Sequence, residues 1–335
     1  MRFLIIRLSS IGDIVLTTPV IRCLKQQVPG AEIHFLIKPQ YKQIVESNPY
    51  IQKIHVLQQD WNAMIEELKS EGFNYIIDLH HNLRTLRLKN ALKIPSFSYN
   101  KLNIEKLVFV KLKWNVMPKL HIIDRYLETV KPFGVYNDGK GLDYFIPADE
   151  EITMKDIPAS HHLGYLALII GASYYTKKLP TYKLQEFCKR MNYPIILLGA
   201  KEEFNEGEEI RKADPDKVYN ACGKFSLHES ADIVRHSRLV IAHDTGLMHI
   251  AAALKKNVIA IWGSTTPSFG MVPYYGEKFL NRYPNPYDDV QVHKLWCRPC
   301  TKFGRRHCPQ GHFKCMKDIS ITELVQKANK RLNLV

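Results

Sequence analysis

The chain has 335 residues, 45% of them apolar, and its 47 lysines and arginines outnumber 33 aspartates and glutamates for a formal net charge of +14. That length exceeds one small core and fits two α/β domains or one large one; the composition excludes a disordered chain, and no apolar run approaches the ~20 residues that span a bilayer. The basic excess favours an anionic partner without choosing among nucleotide, phosphorylated sugar, anionic membrane surface and nucleic acid, and a basic protein with no such partner is the plain alternative.

Residues 2–7, Arg-Phe-Leu-Ile-Ile-Arg, read as a short buried strand. The start has neither the length nor the cleavage site of a signal peptide, so the chain is expected in the cytoplasm. There its odd set of seven cysteines argues against a disulfide framework. A polar turn, Ser9-Ser10-Ile11-Gly12-Asp13, opens a helical pattern that runs through Gln27 and either begins or bends at Pro19. Strands follow at 32–37, 53–57 and 75–79, with helices at 41–46 and 61–71 between them. This β-α-β-α rhythm with nearly continuous apolar strands predicts a parallel sheet covered on both faces. Helices are predicted over 104–113 and 121–130, and the pattern lapses into a linker around 146–160, where Pro147, Asp149-Glu150-Glu151 and Pro158 occur.

A second series then begins. Strands are predicted at 165–170, 194–198, near Val218, at 239–242 and at 258–262, alternating with helices at 181–191, 202–212, 227–236 and 245–254. A last helix spans 321–332. Two doubly wound halves in series place ligands beyond the carboxyl ends of the strands, at helix starts.

Three strand-to-helix loops carry chemistry. Ala242-His-Asp-Thr-Gly-Leu-Met-His249 follows an apolar strand and opens a helix, whose bare N–H groups and dipole suit a phosphate. Asp244 and Gly246 are also ordinary capping residues, and His249 is what capping leaves unexplained. The loop from Ser9 to Pro19 lacks the glycines of a dinucleotide fingerprint and the Gly-Lys-Ser/Thr of a Walker loop. Asp13 there suits a general base, or a turn and cap residue. Gly171-Ala-Ser173 with Thr176-Lys177-Lys178-Leu179-Pro180 offers a hydroxyl and a mobile ammonium to a diphosphate, or is a solvated basic loop.

The order Ser-Ser-Ile-Gly-Asp-Ile-Val-Leu-Thr-Thr-Pro at 9–19, Lys-Lys-Leu-Pro at 177–180 and Asp-Thr-Gly-Leu-Met-His-Ile-Ala-Ala at 244–252 resembles glycosyltransferase family 9, the ADP-heptose:lipopolysaccharide heptosyltransferases, over nearly the whole chain. The resemblance implies an α/β fold of GT-B type, two Rossmann-like doubly wound domains facing across a cleft. They would be an acceptor-binding domain at 1–155 and a nucleotide-sugar-binding domain at 156–318. The helix at 319–335 can pack on either domain, a return to the N-terminal one included.

The resemblance also implies an inverting transfer of heptose from ADP-heptose to the lipopolysaccharide inner core, a Kdo-lipid A or heptosylated acceptor. Asp13 matches the family's general base, and Lys177 and Ser173 match positions beside the donor phosphates. Asp244, Thr245, Gly246 and His249 match the donor motif. Glu203 falls at a ribose-binding acid, with Glu202 one position away, and Phe225 falls where a side chain lies against adenine or belongs to the core. Arg84 matches a basic acceptor-side position. Leu179 stands where tryptophan is usual, and His81 where glycine is usual. With Lys177 and the helix start at Thr245-Gly246 supplying donors to the leaving group, neither a cofactor nor a metal is required.

Cys297, Cys300, Cys308 and Cys315 suggest structural zinc by their spacing, with reduced buried thiols as the plain alternative. The basic residues Arg84, Arg87, Lys89, Lys101, Lys106, Lys111, Lys113 and Lys119 are expected on the acceptor side of the N-terminal half, or as solvated helix faces. Expected partners are ADP-heptose, a phosphorylated lipid A-core acceptor and, peripherally, the anionic inner face of the inner membrane. A recognition helix, an RNP-like aromatic pair and zinc-finger spacing are all lacking, which excludes nucleic acid. The rivals are transfer from another nucleotide sugar on the same fold and a non-catalytic binder of anionic glycans.

Overall fold

Short β-rich apolar runs bounded by polar turns become parallel strands in both halves of the chain. A computed structural model gives residues 1–334, whose internal contacts define two units: Met1–Leu102, Leu120–Phe145 and Gly276–Phe279 in the first, and Asn103–Lys119, Ile146–Tyr275 and the chain from Leu280 on in the second.

In chain order the first stretch contains β1 (Arg2–Ile6), α1 (Ile11–Val15), α2 (Thr18–Gln27), β2 (Glu32–Ile37), α3 (Gln43–Glu46), β3 (Lys53–Val56), α4 (Trp61–Ser70), β4 (Tyr75–Asp78), α5 (Leu83–Leu92), β5 (Ser96–Ser98), α6 (Asn103–Leu112) and α7 (Ile122–Leu127). The sheet is wholly parallel in the order β3-β2-β1-β4-β5. Leu4, Ile6 and Leu36 meet Met64, Ile65 and Leu68 of α4 and Leu88 and Leu92 of α5 on one face. On the other face α2 packs on β2 and against α7. Pro19 sits in the first turn of α2, where its missing N–H costs nothing, and the hydroxyls of Thr17 and Thr18 donate to Ile14 O at 2.7 Å and Val15 O at 2.8 Å. Arg22 of α2, 2% exposed, reaches Asp138, Asp143 and Gly141 O, fixing the segment after α7 to the helix.

The second stretch contains β6 (Leu166–Ile169), α8 (Thr181–Arg190), β7 (Ile195–Leu198), α9 (Phe204–Arg211), β8 (Val218–Asn220), α10 (Leu227–His236), β9 (Leu239–His243), α11 (Gly246–Ala253), β10 (Val258–Trp262), α12 (Glu277–Leu280), β11 (Tyr287–Gln291), α13 (Lys314–Lys317) and α14 (Ile321–Leu332). Its parallel order is β11-β10-β9-β6-β7-β8. Alternate strand residues feed two cores, one with Leu184 and Phe187 of α8 and Leu324 and Ala328 of α14, the other with Ile233 of α10 and Met248 and Ala251 of α11. Both sheets therefore have helices on both faces and the Rossmann strand order, which reverses between β1 and β4 in the first and between β6 and β9 in the second. Where the sequence left either domain open to the C-terminal helix, α14 packs on α8 and buries its stripe in the second unit.

Five elements lay outside the sequence reading: α5, β5, β11 and the four-residue helices α12 and α13. In α5 the exposed Leu83 and Leu86 blur the period of the buried Thr85, Leu88 and Leu92, and β5 is three residues long. β11, Tyr-Asp-Asp-Val-Gln, is a polar edge strand. The contacts also place α6 and its tail in the second unit. Phe109 lies edge-on to Phe269 at 5.8 Å, and Lys113 Nζ donates to Cys297 O at 3.2 Å and Pro299 O at 2.7 Å. Among the described residues no helix is long and apolar enough to cross a membrane.

Candidate active site

Ligands of doubly wound sheets bind beyond the strand ends where the order reverses; Asp13 and Arg84 of the first unit and Ser173, Lys177 and the 244–249 segment of the second follow the strands at those points, while Glu203 and Phe225 follow the neighbouring β7 and β8. In the first unit Asp13 follows β1 and Arg84 follows β4. Asp13 is the third residue of α1; Ser10 donates to its Oδ2 through N–H at 3.3 Å and Oγ at 2.9 Å. Its Oδ1 pairs with Arg7 Nη2 at 2.7 Å. Burial pushes the carboxyl up, but the Arg7 guanidinium and the Ser10 bonds outweigh it and hold Asp13 below the usual carboxylate range. Asp13 is thus both a turn residue and an ionised carboxylate with 22% of its side chain exposed. Arg7 is itself fixed by Ser9 O at 2.9 Å, Tyr126 Oη at 3.0 Å and Leu79 O. Sequence reasoning passed over Arg7, whose signal is a cation ending an otherwise apolar strand.

At the end of β4, Asp78 is fully buried and accepts from His80 N at 3.1 Å, His81 N at 2.7 Å and Thr85 Oγ1 at 2.8 Å, with Lys89 Nζ at 3.1 Å. His81, at the position where glycine is usual, has φ of +49°, and its Nδ1 donates to Tyr99 O at 2.9 Å. The strained left-handed backbone explains a preference for glycine there, and the ring bond offsets its loss. Arg84 is exposed in the first turn of α5. Arg87 instead stacks on Trp61 at 4.3 Å, and Lys89 is spent on Asp78. His80, also passed over, is half-buried beside this group; burial, then the positive field of Arg7, lowers its pKa to about 4 and keeps it neutral.

In the second unit the loops after β6 and β9 meet. Lys177 Nζ lies 2.7 Å from Asp244 Oδ2, and Thr265 Oγ1 donates to the same oxygen at 2.8 Å. Asp244 therefore does not cap α11. The N-cap is Thr245, and its side chain makes no cap bond to the first-turn N–H groups that begin at Gly246. His249, one turn in, is 2% exposed. Ser173 is exposed on the β6 loop. Glu203 turns inward, with Ala200 N donating to Oε2 at 3.0 Å and Lys178 Nζ 3.3 Å from Oε1, while Glu202 is exposed. Gly171 lets it approach, since a Cβ there would stand 3.1 Å from Glu203 Oε2. Phe225 is half-buried against the core of α10 and β9.

Supporting residues were not legible in sequence. His243 is buried and accepts from Leu179 N at 2.9 Å; burial lowers its pKa to about 3, so it stays neutral and anchors the Lys177 loop. Leu179 is buried as well. Arg298 donates to Thr265 O at 2.8 Å and Gly263 O at 2.6 Å, holding the loop that orients Asp244.

Burial raises Cys297, Cys300 and Cys315, the last to about 12, and Cys297 Sγ lies 3.7 Å from His312 Nε2. Among the described residues, the three metal-type side chains whose ligand atoms lie within 4.8 Å of one another are His34, His55 and Glu71. There the rings bond each other at 3.0 Å, Glu67 accepts from His55 at 2.9 Å and Lys53 pairs with Glu71. Two surface cavities of the second unit, one beside β8 and one beside Tyr165 and Lys256, contain none of the candidate residues.

Comparison with known proteins gives consistent matches. Residues 61–306 match the family model for glycosyltransferase family 9 (heptosyltransferase). Lipopolysaccharide heptosyltransferase 1 of Campylobacter coli is 25% identical over 293 residues, covering 80% of this chain and 85% of that protein. A glycosyltransferase family 9 structure from Veillonella parvula superposes with a TM-score of 0.77 at 21% identity, covering 100% of this chain and 98% of its own. The ADP-heptose lipopolysaccharide heptosyltransferase II of E. coli gives 0.72 at 16% identity, covering 100% and 99%.

Proposed function

Given that the chain belongs to glycosyltransferase family 9, the heptosyltransferase family, and is a glycosyltransferase of GT-B fold, we propose that it transfers a heptose from ADP-heptose, with inversion, to a phosphorylated lipopolysaccharide inner-core acceptor. The observation that carries the reading is the cradle of the second unit: an ammonium, Lys177, held by Asp244 at the uncapped start of α11. A nucleoside diphosphate would draw Lys177 from Asp244, which Thr265 keeps in place, and would take the first-turn N–H groups from Thr245-Gly246. Glu203 and Phe225 would receive ribose and base, with Ser173 and His249 beside the phosphates.

In the reaction the acceptor hydroxyl gives its proton to the Asp13 carboxylate as its oxygen bonds the anomeric carbon on the face opposite the leaving group. The bond from that carbon to the diphosphate breaks, and its electron pair leaves with ADP. Lys177 and α11 stabilise the growing charge, and Arg84 meets acceptor phosphates. The names of the relatives support the donor and acceptor, and the basic excess supports peripheral association with an anionic membrane. The test is turnover on a Kdo-lipid A or heptosylated acceptor with ADP-heptose against UDP- and GDP-sugars. ADP-heptose is expected to be used, and turnover with a UDP-sugar alone would remove it as donor.

A further inference from the structure

Residues 103–120 present an apolar surface that the second unit leaves uncovered. Ile104, Leu107, Val108 and Lys111 stand at i, i+3, i+4 and i+7 and share one face of α6. In an ordinary surface helix such a stripe faces the core. Here Ile104 is 76% and Leu107 57% exposed, and the buried residue is Phe109, turned toward Phe269. The chain beyond the helix continues the surface with Trp114, Val116 and Leu120, each at least 50% exposed. Lys111 and Lys119 are exposed among them, and Glu105 in the first turn of α6 is the one acidic residue from Asn103 to Ile123. Single exposed apolar side chains are ordinary, but a run of them rimmed by cations marks an interaction surface.

We propose that residues 103–120 are a docking element for the anionic surface of a lipid bilayer, with Ile104, Leu107 and Trp114 entering the interfacial layer and Lys111 and Lys119 meeting headgroup phosphates. Basic amphipathic helices with leucine and tryptophan on the apolar side lie in the plane of that interface, where tryptophan concentrates. The charge pattern selects the occupant. With Glu105 as its one carboxylate against Lys106, Lys111, Lys113 and Lys119, the element is net basic, which disfavours a second copy of itself and attracts anionic lipid. Lys113 leaves this function to its neighbours because its ammonium is bonded to Cys297 O and Pro299 O, which hold the element to the unit. The assignment rests on the membrane reading above and names the element that performs it; its test uses neither donor nor acceptor, so a failed transfer assay and a failed docking assay are told apart.

The experiment is flotation of the full chain with vesicles of phosphatidylcholine, alone or with about a third phosphatidylglycerol, while the emission of Trp114 is followed. Binding is expected on the anionic vesicles and weakly on the neutral ones. It should fall about fivefold with each of Lys111→Gln and Lys119→Gln and be lost in the double variant Ile104→Glu, Leu107→Glu. The unfolding midpoint of each variant, compared with the parent, confirms that a folded protein is being read. A blue shift of emission that disappears in Trp114→Phe would place that ring in the interface. Absence of binding to anionic vesicles would overturn the proposal, and so would unchanged binding of the double variant. Self-association in solution that the double variant abolishes would assign the face to a second copy instead.

Discussion

As the proposed base, Asp13 would meet opposing demands, since the arginine that orients it also lowers its basicity. The pair with Arg7 and the bonds from Ser10 hold it ionised below the usual carboxylate range. A general base of this kind should give a transfer rate with no acid limb between about pH 5 and 8; a limb near neutrality would implicate another group. Asp13→Asn keeps the size and the turn oxygen, so it should cut turnover by ~10²- to 10⁴-fold while donor affinity, read by ADP titration, hardly changes. Lys177→Ala should weaken both ADP affinity and rate, because in the proposed reaction it would meet the diphosphate in ground and transition states alike. His80 is the competing base, neutral by burial and close enough to feel Arg7 and Asp13. His80→Gln should leave most of the rate; a loss as deep as that in Asp13→Asn, with Asp13→Asn itself mild, would transfer the role.

Two side chains that bind nothing in the proposed reaction hold elements in register. His243, at the end of β9, accepts the N–H of Leu179 and so fixes the loop that presents Lys177. His243→Ala leaves that buried donor unpaired, at a cost of ~1–3 kcal/mol, and should raise the KM for the donor more than it lowers kcat. His243→Gln retains an acceptor and should recover part of both. Arg22 joins α2 to Asp138 and Asp143 in a nearly buried cluster. Arg22→Ala removes the guanidinium shared by two carboxylates and should cost ~3–5 kcal/mol of urea stability, whereas the exposed Gln26 of α2 should tolerate alanine within about 0.5 kcal/mol.

For the whole molecule, buried histidines set the acid limit. Burial lowers His243 to about 3 and His80 to about 4, and lowers His34 and His161 in the same direction. The folded state therefore binds fewer protons than the unfolded chain below the ordinary histidine value of 6.5. Their contribution is complete above that value and is lost as pH falls toward the folded values. Asp13 and Asp138 also sit low and add a second loss only below about 4. The urea midpoint should thus decline from about pH 7 to about pH 5, before most carboxylates titrate. A flat midpoint across that range would contradict the buried neutral state of these rings.

How much was legible follows from the range of the forces involved. The continuous apolar strand runs and the period-3.6 helix patterns are local, so α10, β10 and α14 occupy the predicted residues, and two doubly wound halves follow from their alternation. The strand-to-helix loops at Asp13, Lys177 and Asp244 were marked locally too, by glycines, hydroxyls and charges after apolar runs. Local pattern could not decide which partner each side chain meets. Arg7 meets Asp13 only because β1 and α1 fold back on each other. Glu203 turns inward while Glu202 faces water because Gly171 and Gly199 leave space beneath it. Asp244 gives up its capping role because Lys177 and Thr265, distant in sequence, claim its carboxylate. The polar β11 becomes a strand only because β10 offers a free edge. α6 turns its apolar stripe outward because Phe109 and Lys113 find their partners near Phe269 and Cys297. Sequence periodicity sets which face of an element is apolar; long-range contacts decide what that face and its charged neighbours are joined to.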